Sequence, residues 1–482
     1  MKLGPFQLSY NAIENKGRRQ APQTRVKHEQ VVLKSRDRLK LYATAQDQMR
    51  NHALVAWMVR KHLDYVSKFH FSFRTENHVL DAQVNRIFRW HGAPKNLDYM
   101  GRFGRDEMFR MFELEKVLCG DAGLLKLPGL KLQAIEADEI GGCTGSPDNT
   151  NDSGIMVDGM GVPVGYCLRK RLDRGEGYEF ARTADIDEMI FDAYWTRFKS
   201  QYRGVSPLST AINTIQDLSE AFEFNLVKAK MHALFGVAIT RKADENEGAF
   251  GGAFGATAET EAATATASQT ELDLNPRSIN VLDMEPGSDV KTIESGTPSA
   301  EFVEGSYLFI HIAMCALDIP ITCFDSRRSS FSARIADLNE YAVSADSKRT
   351  KNRYVRQAYS DWVLEQIWND PETPWPLRKI AESAGMRLRD VQEEVEWIPN
   401  GEPWMDKYKQ IQGDELAISL CLDNSIDAAR RKGSDVFENI AKQARVLEYA
   451  KARGVPIVTG RAADKNSTEI EDAETDGGED DK

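Results

Sequence analysis

Six carboxylates fall within one short stretch: Glu136, Asp138, Glu139, Asp148, Asp152 and Asp158. Carboxylates grouped in this way can hold a magnesium or calcium ion. They are spread over loop-like sequence without EF-hand spacing, so solvated loop charge is the preferred reading. The alternative left open is a metal-dependent nuclease or phosphodiesterase using the carboxylates between Glu136 and Asp158. Four histidines (His52, His62, His70, His78) lie eight or ten residues apart, whereas metal ligands on one helix usually sit three or four apart. They read as surface or core residues. Ser206 stands in Gly204-Val205-Ser206-Pro207, which lacks the second glycine of a hydrolase elbow. Gly251-Gly252-Ala253-Phe254-Gly255 has no Lys-Ser/Thr and follows no convincing strand, so it is not a phosphate loop. The sequence therefore predicts no catalytic group, metal or cofactor.

The residues that do suggest a task are basic. Asp325-Ser326-Arg327-Arg328-Ser329-Ser330 is a short polar loop between two helical patterns. Arg327 and Arg328 there can point positive charge into a confined space, and Ser329 and Ser330 can donate hydrogen bonds to phosphate. A second basic set, Lys348, Arg349, Lys351, Arg353 and Arg356, reads first as the solvated or intersubunit face of a long helix.

The elements that position this loop have local causes. A helix from Glu301 to Leu317, with an apolar run from Tyr307 onward, stops at Asp318-Ile319-Pro320, because proline lacks a backbone donor and disfavours a helical residue before it. A much longer helix is expected from about Ser332 to Trp368. Upstream, a helical pattern covers Asp37 to Phe69, and a strong amphipathic helix covers 104–118 and ends at Gly120. Strand-like runs follow at Gly123–Lys126, Leu132–Ala137, Gly154–Val157 and Pro163–Lys170, the last two flanking the turn Asp158-Gly159-Met160-Gly161. Strand-like Met189–Phe191 comes next, and Ser206-Pro207 then opens a long amphipathic helix to about Phe235. Residues 244–271 are rich in Ala, Thr, Gly and Glu and of low complexity. Strand-like Ser278–Leu282 and Val290–Ile293 lead back to Glu301. Further helices are expected at Leu377–Ala384, Met405–Asp423 and Ser434–Arg453.

The chain has 482 residues and a net charge of −12, unevenly spread. Residues 16–40 hold nine Lys/Arg against two acids, and residues 469–482 hold eight acids against Lys482. That asymmetry suggests a polyanion-facing region and a solvated acidic tail. The six cysteines are scattered without a CxxC pair, which suits a reducing compartment. The first residues lack the apolar core of a signal peptide, and the apolar run near Leu308–Ile321 is shorter than the roughly 20 residues a bilayer needs. A soluble cytoplasmic protein is expected.

Taken in order, several motifs resemble the lambda-like family of tailed-phage portal proteins over roughly residues 35–455. They are Cys119-Gly120-Asp121-Ala122-Gly123, the stretch Gly154 to Tyr166, and Arg203-Gly204-Val205-Ser206-Pro207. Met284-Glu285-Pro286-Gly287, Ile319-Pro320 and Phe331-Ser332-Ala333-Arg334 follow. Val395-Glu396-Trp397-Ile398 and Arg430-Arg431-Lys432-Gly433-Ser434-Asp435 complete the series.

The resemblance implies an α+β portal fold with a wing, a helical stem, a β-containing clip and a mostly helical crown. A basic arm would occupy 1–35, the wing 36–203, stem helix 1 204–238, and the clip 239–299 with its insertion at 244–271. Stem helix 2 would be 300–317, the tunnel loop 318–332, the long wing helix 333–375, the crown 376–465, and an acidic tail 466–482. The insertion and the tail depart from the family pattern. By the same resemblance the chain is not an enzyme; it would assemble in the host cytoplasm as a homododecamer at one capsid vertex of the virion. Double-stranded DNA would be packaged and ejected through the ring without sequence specificity. Partners would be the major capsid protein and scaffold, the large terminase subunit and later head-completion or adaptor proteins, with no membrane involved. Arg327, Arg328, Ser329 and Ser330 would line the channel as rings of charge, with Lys348–Arg356 a secondary basic face.

Overall fold

The computed structural model describes residues 26–142, 153–172, 177–234, 237–241, 288–292, 298–401 and 407–457. The arm before residue 26, Asp148, Asp152, the insertion 244–271, the run Ser278–Leu282 and the tail 466–482 lie outside the described residues.

In chain order the main elements begin with α1 (Ser35–Asn51), α2 (Ala53–Val66), β1 (Phe69–Phe73), α3 (His78–His91) and α4 (Arg105–Cys119). Then come β2 (Asp121–Leu127), β3 (Lys131–Ile135), β4 (Ile155–Val157), β5 (Pro163–Arg171), β6 (Tyr178–Asp185) and β7 (Met189–Ala193). The next group is α5 (Ile212–Leu234), β8 (Val237–Arg241), β9 (Ser288–Thr292) and α6 (Ala300–Met314). The rest are α7 (Phe331–Asn369), α8 (Leu377–Ser383), α9 (Leu388–Glu393), β10 (Val395–Pro399), α10 (Lys407–Ser419), α11 (Ser425–Arg431) and α12 (Val436–Ala452). The class is α+β and mostly helical.

The chain forms two compact units, Met1–Pro207 with Ser329–Lys482, and Leu208–Arg328. In the first, β3-β2-β7 and β4-β5-β6 are antiparallel three-stranded sheets. A remote pairing joins β1 to β10, with Phe71 opposite Trp397. β1, α3, β6, β8, α9, β10 and α11 carry no expectation from the sequence. β1 begins at Phe69, where the expected helix ends, and His52, in extended backbone, divides that helix into α1 and α2.

The larger core surrounds α7. Tyr359, Trp362 and Val363 pack with Phe71, Phe88, Phe109 and Trp397. Phe71 stacks on Phe88 with centroids 4.2 Å apart, and the Trp397 indole N–H donates to Ser360 Oγ at 3.0 Å. α7 has 39 residues, so it runs about 58 Å. Ser330 caps its start, accepting the Ala333 N–H at 3.2 Å. Its buried positions begin only at Tyr341 and recur as Ala345, Arg349, Asn352, Arg356, Tyr359 and Val363. These steps of three and four residues lay one stripe along the core.

His91 is buried in this core with its imidazole bridging two elements. It lies 2.6 Å from the Tyr359 hydroxyl and 2.7 Å from the Leu130 carbonyl. A neutral ring with Nε2 protonated satisfies both, donating to Leu130 and accepting from Tyr359. It thereby holds the carbonyl of Leu130, a non-glycine residue at φ 60°. Burial pushes the His91 pKa down to about 4, against the opposing pull of the Leu130 carbonyl. The unfolded chain then binds the extra proton between pH 6.5 and 4, so stability present above 6.5 falls as pH drops through that window. The full effect is on the order of 3 kcal/mol. Urea titrations at pH 7.5, 6, 5 and 4 should show this loss, and His91→Gln should be less stable at pH 7.5 but flatter across the window. An unchanged slope in the variant would exclude His91 as its source.

In the second unit, α5 and α6 pack together, with Phe222 edge-on to Phe302 at 5.5 Å. β8 and β9 pair antiparallel, Val237 opposite Thr292 and Arg241 opposite Ser288. α6 passes into a 3-10 turn at Cys315–Leu317, and Asp318 closes it in the left-handed conformation at φ 58°.

Candidate nucleic-acid interface

The loop after α6 begins at Asp318, makes a 3-10 turn at Ile321–Cys323 and ends at the Ser330 cap. Asp325 organises its tip. Its Oδ1 accepts the Arg327 backbone N–H and Nε, each at 3.0 Å, and its Oδ2 accepts Nη2 at 3.1 Å. The Arg327 side chain remains 87% exposed. Arg328 instead turns to α6, pairing with Glu304 at 2.9 Å while its guanidinium lies 4.3 Å from the centre of the Tyr307 ring. Hydrogen bonding to Asp325 and to Glu304 raises the pKa of each arginine, so both stay charged. Pairs this exposed are screened by solvent and hold their partners weakly, so an arriving phosphate can compete for either guanidinium. Ser330 is committed as the cap of α7.

The secondary basic set is not one exposed face. Arg349 is buried and donates to the Tyr65 carbonyl at 2.7 Å. Arg356 is buried between the rings of Phe69 and Phe109, at 4.3 and 4.6 Å, and donates to the carbonyls of Asn352 and Ser67. Burial pushes its pKa down to about 9. Both arginines tie α7 to the end of α2. Their positions belong to the buried stripe, which the run of charges along the sequence does not reveal. Lys348 and Lys351 are half-buried, and Arg353 is exposed.

The described carboxylates of the acidic stretch are occupied. Asp138 accepts from Arg171 Nε at 2.6 Å and from the Tyr178 hydroxyl at 2.7 Å, and Glu136 also pairs with Arg171. Glu139 accepts the Glu136 N–H, and Asp158 accepts the N–H groups of Met160 and Val162 within its own turn. Among the described residues no group of three or more His, Cys, Asp and Glu is placed to hold a metal. Ser206 Oγ is buried and donates to the Val117 carbonyl at 2.7 Å. His62 is buried against Glu113, and His70 meets Glu438.

Motifs far apart in the chain meet in pairs. Asp121 holds Arg203 in a buried bidentate pair at 2.7 and 2.8 Å and accepts the Gly204 N–H at 2.8 Å. The same guanidinium donates to the carbonyls of Ala137, Ile140 and Ser153. Burial alone would lower the Arg203 pKa, but the Asp121 charge and hydrogen bonds raise it, so the pair stays ionised. Beside it, Gly120 (φ +99°) and Gly204 touch backbone to backbone, where any Cβ would collide. Later in the chain Arg430 pairs with Glu396 at 2.8 Å, and Gly401 meets Gly433 with similar closeness.

Sequence reasoning also missed the hub at Glu113. It accepts from His62 (3.0 Å), Tyr194 (2.6 Å), Asn352 (3.0 Å) and Lys116 (2.9 Å), joining α2, α4, α7 and the residue after β7. Burial alone would raise the Glu113 pKa, but Lys116 and these donors hold it well below the carboxylate range. The available signal was Glu113 and Lys116 one turn apart on the otherwise apolar face of α4.

A family model described as phage portal protein, lambda family, matches residues 16–341. A probable portal protein of Halomonas phage phiHAP-1 is 31% identical over 120 residues, 24% of this chain and 22% of that protein. The match thus spans about a fifth of that relative's length. Similar solved structures include the virion of a native gene transfer agent particle (14% identity, 89% of this chain and 96% of that one, TM-score 0.42). Another is the neck of the native particle computed with C12 symmetry (14% identity, 83% and 94%, TM-score 0.42).

Proposed function

Because the chain belongs to the lambda family of phage portal proteins, structural components of the virion and not enzymes, we propose that it assembles into a homododecameric ring conducting double-stranded DNA. The observation that carries this reading is the surface of α5 and α6. Phe224 (72% exposed), Leu226 (55%), Leu308 (58%) and Ile312 (49%) stand in solvent in a single chain. Large apolar groups left exposed on two helices that pack together point to an interaction surface. Ala300–Leu317 is, by length and composition, apolar enough to cross a bilayer, and only 22% of it is buried within the chain. The apolar run read from the sequence began at Leu308 and so left out the first half of α6. In the proposed ring this surplus meets the next subunit, and no membrane takes part.

On this reading α5 and α6 are the stem helices, β8 and β9 belong to the clip, and the tunnel loop is 318–332, its last two residues already within α7. The wing keeps its sheets but also takes in 376–399, since β10 pairs with β1 and Trp397 fills the same core; the crown then starts after Pro399. The clip would receive the large terminase and then head-completion proteins, and the outer surface would meet capsid and scaffold. A ring turns one Arg327 and one Arg328 into a belt of positive charge, which attracts phosphates without reading bases.

Mass photometry tests the assembly. The chain is expected to form a particle of about twelve subunits, and Leu308→Glu with Phe224→Glu to leave monomers with unchanged far-UV circular dichroism. A monomeric wild type at micromolar concentration, or rings that tolerate both glutamates, would overturn it. For the channel, Arg327→Ala and Arg328→Ala are each expected to weaken duplex binding and to lower its log-log salt slope by about 1 for each phosphate no longer neutralised. An unchanged slope in both would remove the loop from the DNA path.

A further inference from the structure

We propose that the groove between α7 and the end of α11 binds this chain's own acidic segment, Glu469–Lys482. The groove has a volume of about 710 Å³ and lies within one unit. Its walls carry Arg349, Arg353, Arg430, Arg431 and Lys432 against two carboxylates, Asp346 and Glu396. Some of this charge is already matched, since Arg430 pairs with Glu396 and Asp427, and Arg431 with Asp423. With Asp423 and Asp427 counted beside Asp346 and Glu396, five basic groups face four carboxylates, and Arg353 stands exposed at the side of the groove. Between the charges the lining is apolar, through Val343, Val395 and Pro399.

The occupant must therefore be anionic and also offer an apolar side chain. Glu469-Ile470-Glu471-Asp472-Ala473-Glu474 has that composition, one branched aliphatic residue set among acids. Duplex DNA presents a continuous line of phosphates, about one charge per 1.7 Å, on a stiff cylinder that brings no aliphatic side chain to a narrow cleft. The tether length also fits. α12 has 17 residues and starts at Val436, four residues after the groove-lining Lys432. It carries the chain away by about 26 Å, and the residues on to Ile457 bring the total to roughly 45 Å at most. From Ile457 the extended chain reaches roughly 40 Å at Glu469 and roughly 55 Å at Glu474, so the later residues of the acidic run can return to the groove. Ring assembly is not required for this occupancy.

The test uses the full chain. In one variant Glu469, Glu471, Asp472 and Glu474 become Gln, Gln, Asn and Gln, and a fluorescent peptide of residues 466–482 is added in trans. The peptide is expected to bind this variant at least tenfold more tightly than wild type, whose own segment competes. Adding Arg353→Glu and Lys432→Glu to the variant should weaken that binding at least tenfold, whereas Arg387→Glu, an exposed arginine outside the groove, should not. Equal binding to wild type and variant, or indifference to the groove substitutions, overturns the proposal. Displacement of the peptide by an equimolar random duplex would assign the groove to nucleic acid and overturn it as well. In a mixture of 14N and 15N chains, zero-length cross-links from Lys432 to the segment should join like isotopes only. Mixed pairs would mean a neighbour's segment and would overturn the assignment to the same chain.

Discussion

Asp121→Ala is expected to destabilise the larger unit by about 3–5 kcal/mol, the cost of leaving a buried charge without its partner. The Arg203 side chain is 1% exposed and that of Asp121 fully buried. Without the carboxylate, the guanidinium keeps its three carbonyl acceptors but has no counter-charge, and the Gly204 N–H loses its acceptor. Asp121→Asn should cost less, because the amide oxygen can still accept from Gly204. Removing both charges, as Asp121→Leu with Arg203→Met, should cost less than the sum of the single changes, since neither then strands a charge. The readout is the urea midpoint of the transition that reports Trp397 fluorescence. A loss below about 1 kcal/mol for Asp121→Ala would mean that water or a rearranged side chain replaces the carboxylate.

Gly204→Val should be as damaging, for a steric and not an electrostatic reason. A Cβ at residue 204 would fall inside the Gly120 carbonyl group, and one at residue 120 would sit 2.6 Å from the Gly204 carbonyl carbon. The obstacle in each case is backbone, which cannot rotate away. Overpacking that forces such shifts costs about 1–3 kcal/mol and more where nothing yields. Gly120 adds its own φ of +99°, a region L side chains rarely adopt. Gly120→Ala and Gly204→Ala should therefore each lower the thermal midpoint by several degrees, and Gly204→Val should abolish the larger unit's cooperative transition. Wild-type melting of Gly204→Ala would show that the two segments can separate without cost. Both changes act next to Asp121, so their effects should not add independently with Asp121→Ala.

These two results concern residues that the sequence marked only as parts of motifs. Cys119-Gly120-Asp121 and Arg203-Gly204 stood out as neighbours of a helix end and a helix start. Nothing in one dimension says that they are the two halves of one clamp, because their 82-residue separation is bridged by three hydrogen-bonded strands. The same holds for Glu396 with Arg430 and for Gly401 with Gly433.

Local signals gave most of the elements. Proline at 320, glycine at 120 and the Asp158–Gly161 turn each act through their own backbone or the next few residues, so they were legible, whereas Ser330 was read as a phosphate donor and its cap on α7 emerged only from the structure. The start and end of α7 fell within one residue of their expected places. β1, β6 and β10 were not legible, because a short strand is defined by the partner it pairs with, and Phe69–Phe73 finds its partner more than 300 residues later. The basic loop was found from composition, but its carboxylate partners were not. Asp325 belongs to the loop itself, whereas Glu304 reaches Arg328 only because α6 lies beside it.

The sequence by itself determined the family, the order of elements and the lack of hydrolase, phosphate-loop and EF-hand spacing, since these depend on residue types at fixed separations. Only the tertiary structure decided which charges are surface and which are internal. Arg349 and Arg356 look like Lys351 and Arg353 on paper, yet burial turns the first two into struts and leaves Arg353 facing solvent. The reason is that an ion's behaviour depends on the dielectric and the partners around it, and both are fixed by how distant segments pack.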